Sequence, residues 1–186
     1  REDQIKDSQY EGAYVKDPQL GLHNWIVSFD LNSLYPHLIM QYNLSPETLV
    51  GVQPKNMGVE NYLNEKFNLQ WARDKNVTVA PNGSMYRRDK QGFLPELMEK
   101  MYGDRVVFKK KTIEAKKEFQ KTKDPIYKNE ISRCNNIQMA KKIALNSAYG
   151  AIGNQYFRYF DVRIAEAITL GGQLSIRWVE NDVNRF

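Results

Sequence analysis

A single cysteine, Cys134, stands among 186 residues, so neither an internal disulfide nor a cysteine-rich metal centre can form. That scarcity fits an intracellular, reducing setting. Long apolar runs are missing as well. No stretch approaches the roughly 20 consecutive apolar residues that span a bilayer, and 26% charged residues argue against a membrane protein. The opening residues, REDQIKDSQY, lack the apolar centre of a signal peptide. A starting methionine is also lacking, and the Arg1 beginning reads as a fragment or a processed piece. Internal repeats and low-complexity tracts are absent.

What is present suffices for a packed core. At 41% hydrophobic residues, the chain can form one ordinary domain or two small ones. The net charge of +5 is unevenly placed: residues 86–142 hold 16 Lys/Arg against 8 Asp/Glu, and the remainder holds 11 against 14. A basic block on a near-neutral body is the electrostatic footprint of a polyanion partner, a nucleic acid or a nucleoside triphosphate. A Lys-rich helix with a solvated face gives the same count, so charge alone leaves both readings open.

Residues 1–23 read as irregular, with turn chemistry in YEGAY and KDPQLGL. The pattern predicts a strand over 24–30, then a helix after Pro36 through HLIMQYNL that ends at SPET. Residues 51–80 are weakly patterned beyond a short helix near 59–66. VTVAPNGSMYRRDKQGFLP predicts a β-hairpin region with turns at Pro81-Asn82-Gly83 and at Asp89-Lys90-Gln91-Gly92. From Pro95 to about Lys121 helix formers dominate, TKDP breaks the run, and a second long helix follows from Ile126 to Ile152. Two such helices joined by so short a link must lie antiparallel. A third helix follows Asp161, which is placed to cap it.

Spacing assigns faces. Arg105 and Lys109 are four apart on the first long helix; Lys142, Asn146 and Tyr149 share a face of the second. If both faces meet one cleft, three cations, an amide and an aromatic ring converge, which suits a triphosphate bearing a flat base. Gly150 leaves room beside Tyr149 for another body to approach. Taken singly, Lys142 and Asn146 also fit an ordinary helix surface, and Tyr149 an ordinary core.

DLNSLYPHLI from Asp30 resembles the first polymerase motif of family B DNA polymerases, Asp-x-x-Ser-Leu-Tyr-Pro-Ser-Ile-Ile. KIALNSAYG at 142–150 resembles their second, Lys-x-x-x-Asn-Ser-x-Tyr-Gly, and YEGA at 10–13 is similar to their Tyr-x-Gly-Gly/Ala element. YGAIGNQYFRYFDVR looks most like the replicative polymerases of T-even-type bacteriophages. The resemblance covers essentially the whole chain and is weakest over 51–80.

It implies an α+β fold: residues 1–94 as the N-terminal part of a polymerase palm, 95–152 as the fingers hairpin, and 153–186 as a helix returning into the palm. It implies Asp30 as a catalytic, metal-binding carboxylate, aided by the Leu31 carbonyl, for Mg²⁺ in a two-metal site. Backbone amides around Ser33, Leu34 and Tyr35 would hold the triphosphate, and the Tyr35 ring would lie under the sugar, leaving no room for a 2′-hydroxyl. Arg105, Lys109, Lys142 and Asn146 would grip the phosphates as the hairpin closes. Tyr149 and Gly150 would meet the nascent base pair, and Tyr10 and Gly12 the template, where a plain loop turn is an equal alternative. The implied partners are primer-template DNA, a dNTP, the rest of the polymerase and replication accessory proteins, in the cytoplasm of an infected bacterial host.

One departure limits the expectation. The family's third motif, Tyr-Gly-Asp-Thr-Asp-Ser, is absent, and no Asp-x-Asp occurs anywhere in the chain. The isolated chain is therefore expected to be inactive. A module that holds nucleic acid on its basic hairpin without catalysis is the competing reading, and a helical interaction domain is a third. His37 stands where Ser is usual, and Asn32 occupies a variable position.

Overall fold

The computed structural model describes residues 10–53, 57–64, 66 and 68–185. In chain order these form α1 (Leu34–Tyr42), β1 (Leu49–Val52), α2 (Val59–Leu63), α3 (Gln70–Asp74), β2 (Val77–Val79), β3 (Ser84–Arg87), α4 (Phe93–Thr122), α5 (Ile126–Ile152) and α6 (Val162–Val183). The three strands make one antiparallel sheet in the order β1-β3-β2. The architecture is the expected α+β.

The hairpin forms where the turn residues demand it. Ala80 and Ser84 close the loop, with Gly83 at φ 83° in the left-handed region that glycine enters at no steric cost. Strand β3 then pairs Tyr86 with Thr78 on one side and with Leu49 on the other. Tyr86 is fully buried. Neither β1 nor α3 is visible as a periodic pattern in the weak 51–80 region and its border. The short helix near 59–66 appears as Val59–Leu63, with residue 65 outside the described set. Of the irregular stretch 1–23, residues 1–9 also lie outside it.

Helix α6 is the spine of the base. Ile164, Ala167 and Ile168 are fully buried, joined in one core by Ile39 and Leu44, by Tyr86 of the sheet, by Leu94 and Met98 of α4, and by Leu145 and Ile152 of α5. Asp161 caps α6 by accepting from the Arg163 N–H at 2.9 Å, satisfying one of the free donors at the helix start. Helix α1 starts at Leu34, two residues before the proline, because a left-handed Ser33 (φ 53°) turns the chain there and Pro36 sits within the first turn.

The two long helices pack antiparallel, as their short link requires. Lys123 adopts the left-handed conformation that ends α4, and Asp124 accepts from the Ile126 N–H at 2.9 Å to start α5. Helix α5 spans the predicted residues, whereas α4 begins earlier, at Phe93. Its cap comes from far away in sequence. Asn43 accepts from the Gly92 N–H at 2.8 Å and donates to the Arg87 and Lys90 carbonyls, while Glu47 accepts from the Phe93 N–H at 2.6 Å. Gly92 is required at this junction: a Cβ there would fall 2.6 Å from the Ser45 Cβ.

One expectation is corrected. Residues 24–30 form no strand. Trp25, Ile26, Val27 and Phe29 are all exposed, Trp25 at 98%. A strand exists only through a ladder with a neighbour, and the sheet of described residues ends at β1 and β2 without reaching this segment.

Candidate active site

Where the exposed segment meets α1 it opens a cleft of ≈ 510 Å³ between the start of α1, which packs on α6 in the base of the molecule, and the hairpin of α4 and α5. One wall is the turn from Asp30 to Pro36; the other is Arg105, Lys142, Asn146 and Tyr149. Both walls follow from local rules. The left-handed Ser33 carries the chain from Asp30 straight into α1, so the helix N-terminus faces the cleft. Its first backbone bond runs from the His37 N–H to the Ser33 carbonyl at 3.1 Å. The N–H groups of Leu34 and Tyr35 precede that bond, Pro36 has none, and the Ser33 side chain does not cap them. Free donors at a helix start, reinforced by its dipole, suit an anion.

The opposite wall supplies positive charge. Lys141 reaches across from α5 to Asp104 of α4 at 2.7 Å. Hydrogen bonding to Lys141 holds the Asp104 carboxyl below its usual range. The neighbouring cations in each helix, Arg105 and Lys142, have no carboxylate partner among the described residues. Arg105 donates from Nη1 to Ser33 Oγ at 3.2 Å, and its Nε is buried without a partner. An unsatisfied guanidinium N–H at the cleft edge is a donor awaiting an acceptor.

Aromatic rings close the inner end. Tyr35 and Tyr149 lie 4.7 Å apart between centroids, tilted by 52°. Tyr10 Oη comes within 3.4 Å of Tyr149 Oη. Burial pushes both the Tyr35 and Tyr149 phenols up, with Tyr10 adding to each shift, so these rings stay neutral through ordinary pH. At the outer end Asp30 and Leu31 lie exposed, and Asp30 has neither an ion pair nor a hydrogen bond among the described residues.

Residues 1–185 match the profile of DNA polymerase family B. The chain belongs to that family. It is similar to the DNA-directed DNA polymerase of Escherichia phage RB69, 30% identical over 95% of this chain and 24% of the phage protein. The corresponding protein of Enterobacteria phage T4 is 31% identical over 98% of the chain and 24% of its own length. DNA polymerase 1 of Pyrococcus abyssi is 33% identical over 94% of the chain and 19% of its length. The chain thus spans about a quarter of the phage relatives it matches.

Set against the family B resemblance, the cleft gathers Asp30, Leu31, Ser33, Leu34, Tyr35, Arg105, Lys142, Asn146 and Tyr149. Lys109, one turn beyond Arg105, is exposed and does not line it. Gly150 is exposed, and a Cβ there would meet nothing within 4 Å. Gly12 is held by its carbonyl, which accepts from Gln173 Nε2 at 2.7 Å.

Several contributors escaped the sequence reading. Asn32 and Pro36 line the cleft. His37 Nδ1 approaches the Ser33 carbonyl at 2.9 Å and its ring meets Tyr102 edge-on, tying the turn to α4. Thr169 donates to the Glu11 carbonyl at 2.7 Å, and with Gln173 it lashes residues 11–12 to α6, which brings Tyr10 to Tyr149. The signal for that pair is the i,i+4 spacing of two polar residues, Thr169 and Gln173, on the mostly apolar buried face of the helix.

Proposed function

We propose that this chain forms the nucleotide-binding part of a DNA-directed DNA polymerase, which transfers nucleotidyl units from dNTPs to a primer 3′-hydroxyl in viral DNA replication. The observation carrying this reading is the single cleft in which a free carboxylate, an uncapped helix N-terminus and two unpaired cations face one another. In this reading residues 1–94 and 153–186 belong to the palm and 95–152 are the fingers. The Leu34 and Tyr35 amides hold phosphate oxygens; Arg105 and Lys142 neutralise the charge that develops there, with Asn146 adding an amide donor. Lys109 joins them as the hairpin closes. Tyr35 lies under the sugar and excludes a 2′-hydroxyl, Tyr149 and Gly150 bound the nascent base pair, and Tyr10 and Gly12 meet the template.

Family B polymerases generally depend on divalent metal. The Asp30 carboxylate and the Leu31 carbonyl are oxygen donors of the kind Mg²⁺ takes. No cluster of three or more metal-binding side chains occurs among the described residues, so these two supply part of a coordination shell and the rest must come from substrate or from elsewhere in the polymerase. Bound Mg²⁺ would screen the phosphates and stabilise the attacking and leaving oxygens. The chain's own residues position the reactants. We infer that the isolated chain does not synthesise DNA, and that the polymerase works with accessory proteins in the cytoplasm of a bacterial host. Among the described residues no helix is long and apolar enough to cross a membrane.

The test is primer extension by the full polymerase with and without Asp30→Ala. Synthesis should fall by about a hundred- to a thousandfold, the scale of losing a group that acts directly in the transition state; undiminished synthesis would sink the reading. A second reading, a non-catalytic module holding nucleic acid on the hairpin, draws on the excess of Lys and Arg over residues 86–142. It predicts that Asp30→Ala leaves DNA binding as the only, and unaltered, activity.

A further inference from the structure

Helix α6 carries two adjacent glycines, Gly171 and Gly172, in its buried middle. Glycine is disfavoured inside a helix, so the pair needs a reason in packing. At Gly171 the need is slight: an added Cβ would meet Leu38 and Tyr42 at 3.5 Å, ordinary contact. At Gly172 it would fall 2.9 Å from Tyr35 Cε1 and 3.7 Å from Leu34 Cδ2. Gly172 therefore lies directly against the Tyr35 ring without itself lining the cleft, whereas Tyr35 and its neighbour Tyr149 both line it.

We propose that Gly172 is a positioning residue for sugar selection: its missing side chain lets the Tyr35 ring sit back against α6 and sets the room left for the nucleotide sugar. The inference rests on the role given above to Tyr35. A methyl group at 172 cannot share the space with the ring in its present place. The backbone of Tyr35 is held within α1, so the ring edge must shift away from α6 toward Tyr149 and the cleft. The cleft then narrows where the sugar sits, although no residue touching the nucleotide has been changed.

Single-nucleotide incorporation by the full polymerase tests this, using a dNTP and the matching rNTP with wild type, Gly172→Ala, Gly171→Ala, Tyr35→Ala and the double variant Tyr35→Ala/Gly172→Ala. Gly172→Ala should raise KM for the dNTP about tenfold, the effect of a sub-ångström misplacement in a substrate site, and lower rNTP use at least as much. Gly171→Ala should change neither. With Tyr35→Ala in place, Gly172→Ala should have no further effect. A Gly172→Ala enzyme that behaves like Gly171→Ala overturns the proposal, as does an equal loss with and without Tyr35. Unchanged sugar discrimination in Tyr35→Ala alone removes the sugar role of Tyr35 and leaves the coupling of the two positions to be read separately. If Gly172→Ala fails to fold, thermal unfolding decides: the double variant should regain the folded state, and a double variant that is equally unfolded contradicts the account.

Discussion

The two walls of the cleft are built on different principles. The base wall, Asp30 to Pro36, runs into α1, which lies on the buried face of α6 with Leu38 and Ile39 almost fully enclosed. The hairpin wall presents Lys142 and Asn146 from the exposed side of a long arm, whose core beyond the base is thin: Thr112, Ala115 and Cys134 are its buried residues among those described. A base packed this way fixes shape, and an arm packed that way delivers charge at little cost in stability. The difference predicts that mutations on the base change folding and selectivity, and that mutations on the arm change affinity.

The same truncation on each side exposes the contrast most strongly. Ile168→Ala, at a fully buried position of α6, should cost about 3 kcal/mol. Ile143→Ala, on α5 and 62% exposed, should fall within about 0.5 kcal/mol of wild type. Thermal unfolding of the two variants measures both, and equal losses would erase the distinction between the walls.

A smaller effect is expected at the junction. Burial opposes the charge on Glu47, but hydrogen bonds from Ser45 and from the Phe93 N–H outweigh it and hold the carboxyl below its usual range. A depressed folded-state pKa stabilises above the unfolded value and loses that contribution as pH falls through the folded one. Glu47→Gln should therefore cost about 1 kcal/mol near neutral pH and flatten part of the stability loss on acidification below pH ~4.5. Unfolding curves across that range check it; an unchanged acid limb would show that α4 does not depend on this cap. Smallest of all, Lys117→Ala on the exposed arm should leave stability within about 0.5 kcal/mol and weaken DNA binding only slightly, with less salt dependence.

Sequence legibility followed the same division. The arm was readable because its signals are local: Pro95 near one start, the TKDP break, and Ile126 to Ile152 without a proline. Spacing put Arg105 and Lys109 on one face of the first long helix and Lys142, Asn146 and Tyr149 on one face of the second, and the structure brings all of these but Lys109 to one cleft. The base was less readable because its determinants are distant in sequence. Phe93 begins α4 on a carboxylate 46 positions away, and Tyr10 is set by Gln173. Residues 24–30 carry a strand's composition, yet composition cannot supply the neighbour that a strand requires.

The central claim is that the cleft holds a nucleoside triphosphate between these walls, with the hairpin cations on its phosphates. Nucleotide dissociation constants from single-turnover incorporation, measured on the full polymerase with Lys142→Ala, test it most directly. Losing one charged phosphate contact is worth about 1.5–3 kcal/mol, so the constant for the dNTP should rise at least about tenfold while affinity for primer-template stays unchanged. An unchanged nucleotide constant with weakened DNA binding would contradict the account and assign the basic arm to nucleic acid instead.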